Sequence, residues 1–136
     1  MRAAARHLQG GGAVLTVPGG RIEPDPAVLP RAVEALDHWS SSADLFARLT
    51  PGIAVVPVVV SGVISPWALR NPLIHLRRHR RDREWLAATL QLLIPVLRDV
   101  EARVEFGSPI YAEPGTAVGE AVIEEMRRLM EIRETG

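Results

Sequence analysis

A turn rich in glycine, Pro18-Gly19-Gly20-Arg21, follows the short apolar run 13–17. Glycines permit positive φ angles and let backbone N–H groups approach a ligand closely. An arginine beside them can hold a phosphate through two parallel N–H···O bonds. Because α/β sheets bind ligands at the carboxyl ends of their strands, Gly19, Gly20 and Arg21 form a candidate phosphate site. On these residues alone an ordinary turn is the commoner explanation, since short glycine signals are weakly specific.

A run of arginines, "RRHRRDR" at residues 77–83, is the second candidate for a functional surface. It follows an apolar stretch that contains a tryptophan, and such a pairing suits contact with acyl chains and anionic lipid headgroups. The predicted membrane-contact residues are Trp67, Arg77, Arg78, Arg80 and Arg81. A solvated face is the competing interpretation. The balanced net charge and few aromatic residues argue against nucleic acid as a partner.

Other constellations of reactive side chains are weak. His75 and His79 have the i, i+4 spacing of a metal pair on a helix, but the arginines around them would repel a cation. Ser40, His38 and Asp44 are close only in sequence, and the serines are better explained as helix caps. The sequence therefore predicts no metal site and no cofactor.

The composition is that of one ordinary domain, 1–136, with 47 % apolar residues. All 16 basic residues are arginine, they balance 16 acidic residues, and cysteine is absent. Disulfides and thiolate catalysis are thereby excluded. No apolar run approaches the ~20 residues of a membrane span, and the first residues lack the apolar segment of a signal peptide. We therefore expect a cytoplasmic location, with peripheral association at the inner face of the membrane.

The pattern of apolar residues predicts an α/β alternation. Helices are predicted at 1–9, 31–39, 40–49, 83–100 and 116–134, and strands at 13–17, 53–60 and 102–111. Pro57 indicates a sheet edge or strand end, and Pro95 predicts a kink. The last helix carries one apolar stripe, formed by Val118, Val122, Met126, Leu129 and Met130. The expected fold is a small mixed sheet of about three strands flanked by helices.

Three stretches in order resemble the second half of the glycerolipid acyltransferase domain. They are "GGAVLTVPGGRIEPDP" at 11–26, "TPGIAVVPVVVSG" at 50–62 and "VEFGSPI" at 104–110. In that family a strand enters a turn of the type F-P-E-G-T-R, and a helix and a V-P-V strand follow. The resemblance implies acyl transfer in phospholipid biosynthesis, from acyl-CoA or acyl carrier protein to glycerol 3-phosphate or a lysophospholipid. It also implies that the turn at Gly19, Gly20 and Arg21 binds the phosphate of the acceptor.

Two departures from the family pattern shape the expectation. The catalytic H-x-x-x-x-D signature is absent, because no histidine here has an aspartate four or five residues later. In the turn, Gly19 stands where the family has glutamate, and Arg21-Ile22 replaces threonine–arginine. We expect the chain to be the C-terminal half of such a domain, to lack a catalytic residue and to be inactive alone.

Three further expectations follow. A sheet without its upstream strands would leave an edge open at 13–17 and 53–60, so a homodimer or another protein partner is expected. A non-catalytic module that binds phosphorylated ligands or proteins stays open as an alternative function. A membrane-surface adaptor, based on residues 63–81, is the other alternative.

Overall fold

Short helices and very short strands alternate along the chain in the computed structural model, which describes residues 2–20, 23–29, 31–76, 78–113 and 115–134. The α-helices are α1 (Arg2–Gln9), α2 (Ala32–Ala35), α3 (Ser42–Leu49), α4 (Pro66–Arg70), α5 (Arg80–Leu93) and α6 (Val118–Glu134). Short 3-10 helices span Leu36–His38, Pro72–Leu76 and Pro95–Arg98. The strands are β1 (Ala54–Val55), β2 (Val58–Ser61), β3 (Arg103–Phe106) and β4 (Ile110–Tyr111). The predicted α/β fold class is confirmed.

The strands form two two-stranded sheets, where one small sheet of about three strands was expected. β1 pairs antiparallel with β4, with Ala54 opposite Tyr111 and Val55 opposite Ile110, and β2 pairs with β3. Pro57 lies in the gap between β1 and β2, because it has no N–H to continue a ladder. The prediction of a strand end at this proline is therefore confirmed.

The predicted strand at 13–17 is absent, and these residues form a segment without regular secondary structure, outside either sheet. Leu15 is 89 % exposed, so the run is not the buried strand that its apolar, β-branched sequence indicates. Since a strand exists only when a second strand pairs with its backbone, an apolar run without such a partner keeps an irregular conformation.

By its internal contacts the chain divides into two compact units. Unit 1 comprises residues 1–24, 31–59 and 105–136, and unit 2 comprises residues 25–30 and 60–104. The expectation of a single domain stays a prediction, because compactness of two units does not show whether each folds alone.

The core of unit 1 is built on α6. Every residue of the predicted stripe is buried there: Val118, Val122, Met126, Leu129 and Met130. Leu36 and Ala32 pack into the same cluster from the segment that precedes α3. The amphipathic period of 3.6 residues thus predicted the buried face of this helix correctly.

Unit 2 has a smaller core, formed by Ala68, Ile74, Ala87 and Leu97. Leu86 and Leu90 of α5 pack partly buried against it. Four other large apolar side chains of this stretch are exposed, namely Trp85, Leu92, Leu93 and Val96. Instead of kinking at Pro95, α5 ends at Leu93 and a 3-10 helix begins at the proline.

Candidate functional site

An apolar cavity of about 190 Å³ lies in unit 1 beside residues 13–18. Helices α1, α3 and α6 and the β1 region supply most of its remaining wall. The lining residues include Val14, Pro18, Trp39, Phe46, Val55, Val122 and Met126. An engineered apolar cavity of ~150 Å³ binds benzene, so this volume accepts a small apolar group or a short stretch of an alkyl chain.

The glycine turn continues directly from the cavity wall. Gly20 has a φ of +58°, the left-handed conformation that favours glycine, and its N–H donates to the carbonyl of Val17 at 3.2 Å. The carbonyl of Pro18 accepts a hydrogen bond from the N–H of Ser40 at 3.2 Å. The chain therefore fixes this turn at one end of the cavity, as a phosphate-binding role would need. Arg21 lies outside the described residues.

A carboxyl group that sequence reasoning did not single out lies against this turn. A Cβ atom at Gly19 would overlap Oε1 of Glu23, so glycine leaves the space that this carboxyl group fills. The indole N–H of Trp39 donates to Glu23 Oε1 at 2.5 Å. Desolvation by burial raises the pKa of Glu23, and the hydrogen bond from Trp39 partly opposes that rise. Glu23 is thus a half-buried carboxyl group with a raised pKa, which lies between the turn and a residue that lines the cavity.

A second carboxylate, Asp25, holds together a loop of unit 2. Its Oδ1 accepts the N–H of Gly62 at 2.9 Å, and its Oδ2 accepts those of Val63 and Ile64 at 2.7 and 2.9 Å. Oδ1 also accepts the N–H of Ala27 at 2.9 Å. Asp25 is only 3 % exposed, so this side chain is a structural anchor with no room for a ligand at its oxygens.

The sequence does not single out Glu23 and Asp25, because the stretch "RIEPDPAVLP" at 21–30 is rich in proline and has neither a helical nor a strand period. The Asp25-Pro26 pair is the one available signal, since aspartate before proline often opens a turn by accepting the N–H two residues later. That local bond to Ala27 is present. The bonds to residues 62–64 have no counterpart in local sequence.

The predicted membrane-contact residues lie in unit 2 around α4 and the start of α5. Trp67 is exposed, and the guanidinium carbon of Arg70 lies 5.9 Å from its ring centroid. Arg78 is exposed, while Arg80 and Arg81 are the first two residues of α5. Arg77 lies outside the described residues.

Asp44, which was weighed as part of a catalytic set, has a structural role. Its Oδ1 accepts the N–H of Gly119 at 2.8 Å and so joins α3 to the first turn of α6. Within the described part of the chain, no group of three or more histidine and acidic side chains is placed to hold a metal ion. Across the same residues, no helix combines the length and apolar character needed to cross a bilayer.

Comparison of the chain with protein-family models, curated proteins and solved structures finds no match. The glycerolipid acyltransferase resemblance and the site residues derived from it therefore stay predictions.

Proposed function

We propose that this chain is a glycerolipid acyltransferase-like protein whose unit 1 binds a lysophospholipid. The observation that carries the proposal is the continuity of the cavity with the turn: Val14 and Pro18 line the cavity, and Gly19 and Gly20 follow at once. An apolar site beside a turn with a glycine in the left-handed conformation suits a ligand with an alkyl chain at one end and a phosphate at the other.

A lysophospholipid fits this arrangement better than glycerol 3-phosphate does. Glycerol 3-phosphate has no apolar part, so it would leave the cavity unused. The alkyl chain of a lysophospholipid would lose contact with water there, at ~0.8 kcal/mol for each buried CH₂ group. In this proposal the turn at Gly19, Gly20 and Arg21 binds the phosphate, with the Arg21 guanidinium as the donor because the N–H of Gly20 already donates to Val17. The protein works in the cytoplasm at the inner face of the membrane.

Calorimetry with a short-chain lysophosphatidate, below its critical micelle concentration, tests the proposal. Val14→Trp places a large ring on the cavity wall and should weaken binding at least tenfold. Val17→Trp is the matched control, because Val17 is exposed in the same segment and does not line the cavity. Equal affinity in Val14→Trp and Val17→Trp, or no binding by the wild type, would contradict the proposal.

The phosphate end of the site is tested separately. A charge-assisted hydrogen bond contributes ~1.5 to 3 kcal/mol, so Arg21→Ala should weaken lysophosphatidate binding about tenfold or more. The neighbouring substitution Ile22→Ala serves as its control. An unchanged affinity in Arg21→Ala would remove this arginine from the site.

Glu23 gives the site a pH dependence. Since its pKa is raised, the carboxyl group gains its negative charge above its usual range, and that charge would oppose a phosphate at Gly19. Affinity should fall as the pH rises through this pKa. Glu23→Gln keeps an acceptor for Trp39 without the charge, so at pH values above this pKa it should bind about fivefold more tightly than the wild type, an effect of ~1 kcal/mol for a partly exposed charge pair. Identical pH profiles for the two proteins would show that the phosphate does not approach Glu23.

A catalytic assay addresses the alternative that the chain is a phospholipid-binding module. A missing general base typically costs a factor of ~10² to 10⁴, so this chain should not transfer an acyl group from acyl-CoA or acyl carrier protein. Binding without turnover fits a phospholipid-binding module as well as an inactive acyltransferase part. Turnover by the purified 136-residue chain would show that the catalytic group lies elsewhere than in the H-x-x-x-x-D motif.

A further inference from the structure

Helix α5 presents an apolar side to solvent. Trp85, Leu92, Leu93 and Val96, the last in the adjoining 3-10 helix, are 58–78 % exposed, and we call them the α5 outer face. Trp85 and Leu92 are seven residues apart, which places them on the same side of a helix. Ala87 is fully buried on the other side. The core of unit 2 therefore does not account for the apolar character of the outer face.

We propose that the α5 outer face is a peripheral membrane-binding surface that lies on anionic lipid bilayers. An anionic bilayer is favoured as the partner because its charge complements that of the arginines near this face. The residues that lead into α5 and form its first turn, 77–84, contain five arginines and two acids. Arginines at a helix N-terminus oppose the helix dipole, so helix stability does not explain them. Anionic headgroups beside the apolar face would explain both features.

The arrangement is that of an amphipathic helix at a bilayer interface. There, leucine and tryptophan enter the boundary between headgroups and acyl chains while basic residues contact the headgroups. Exposed Trp67 with the guanidinium of Arg70 near its ring adds a second amphipathic aromatic residue to unit 2. Tryptophan is enriched at this depth of membranes, because its ring is apolar and its N–H is polar. The proposal rests on unit 2 alone, so the ligand-binding tests of unit 1 neither support nor weaken it.

Co-flotation of the full chain with vesicles tests the proposal. The chain should float with phosphatidylglycerol vesicles and not with phosphatidylcholine vesicles. Leu92→Ser/Leu93→Ser should weaken flotation at least tenfold without unfolding the protein, because both side chains are exposed. Phe106→Ser is the matched control, since Phe106 is a similarly exposed apolar residue of unit 1 and does not line the cavity.

The arginines are tested through salt and substitution. Each basic residue near an anionic surface contributes about fivefold in affinity, and salt screens this contribution. Substituting Arg77, Arg78, Arg80 and Arg81 by Gln should therefore reduce flotation by two orders of magnitude or more, and 0.5 M salt should weaken the wild type in the same direction.

Two results would overturn the proposal. One is flotation that depends on the arginines but is unchanged in Leu92→Ser/Leu93→Ser, because the outer face would then not touch the bilayer. The other is absence of flotation together with a dimer, seen by sedimentation velocity, that Leu92→Ser/Leu93→Ser dissociates. In that case the α5 outer face is a contact between two copies of this chain.

Discussion

The two units of the chain differ in the interactions that stabilise each of them internally. Unit 1 has a broad apolar cluster in which the stripe of α6 packs against residues such as Leu36, Val59 and Ala112. Unit 2 has a small cluster in which Ala68 and Ala87 are fully buried. The larger apolar residues of α5 are left outside that cluster.

Hydrogen bonds of polar side chains also stabilise unit 2. Besides the Asp25 carboxylate, the Gln91 side chain joins α5 to the loop before α4. Its Oε1 accepts the N–H of Ser65 at 2.8 Å, and its Nε2 donates to the carbonyl of Val63 at 2.9 Å. Side-chain hydrogen bonds between separate segments of the unit fix a geometry that a few buried alanines cannot specify. Because these hydrogen bonds help to stabilise unit 2, its large apolar side chains on α5 can lie on the outer surface.

The largest expected effect is the loss of Asp25. Asp25→Ala leaves the N–H groups of Gly62, Val63 and Ile64 without their acceptor, and a buried donor left unsatisfied costs ~1 to 3 kcal/mol. We expect a destabilisation of about 4 kcal/mol, within the range of a broken buried network. Chemical denaturation measures it, and the exposed Asp99→Ala is the control.

Amide hydrogen exchange locates that effect. Faster exchange of the amides of residues 62–64 in Asp25→Ala, with protection of α6 retained, is the result expected of an anchor of unit 2. If the amides of α6 lost protection to the same extent, the two units would unfold together, and the comparison between them would not hold.

The next effect contrasts α6 with α5. Met126→Ala removes a buried side chain from the core of unit 1 and should cost about 3 kcal/mol, as large-to-small core substitutions do. Leu92→Ala changes an exposed side chain and should stay within about 0.5 kcal/mol of the wild type in the absence of membranes. Thermal or denaturant unfolding of both variants measures these losses of stability. A comparable loss in Leu92→Ala would mean that the α5 outer face is covered in solution.

The same contrast shows how far the sequence predicts the fold. Both helices carry apolar residues at helical spacing, which predicted the two elements, and in α6 that period also predicted the buried side. The helical period does not determine which elements pack against the apolar side, because those elements are distant in the chain. The irregular segment 13–17 is a further example, since an apolar run predicts a strand but its pairing partner is non-local.

The candidate site was predictable only in part. The glycine turn was found because positive φ selects glycine, and Gly20 has that conformation. The cavity beside it was not foreseen, because residues such as Trp39, Phe46 and Met126 reach it from separate elements. The contacts of Asp25 span 37 to 39 residues, so no local pattern carries them.

The smallest expected effect concerns a polar contact on the surface of unit 1. The carboxylate of Glu125 accepts two hydrogen bonds from Arg128, at 2.6 and 2.7 Å, and one from the N–H of Ser108 at 2.7 Å. The bonds from Arg128, followed by that from Ser108, lower the pKa of Glu125 from 4.5 to about 2. Because the folded-state pKa lies below the unfolded value, its stabilising contribution is complete above about pH 4.5 and is lost as the pH falls towards 2.

Glu125→Gln should therefore lower the melting temperature slightly at pH 6, and the difference from the wild type should close as the pH approaches 2. Salt should reduce the difference at pH 6, since Arg128 is half-exposed and the ion pair is therefore partly screened. Glu124→Gln, on the exposed neighbouring residue, is the control and should show no such closing. A loss in Glu125→Gln as large as that in Asp25→Ala would contradict the comparison of the units. Polar contacts would then stabilise unit 1 as strongly on its surface as they stabilise unit 2 in its interior.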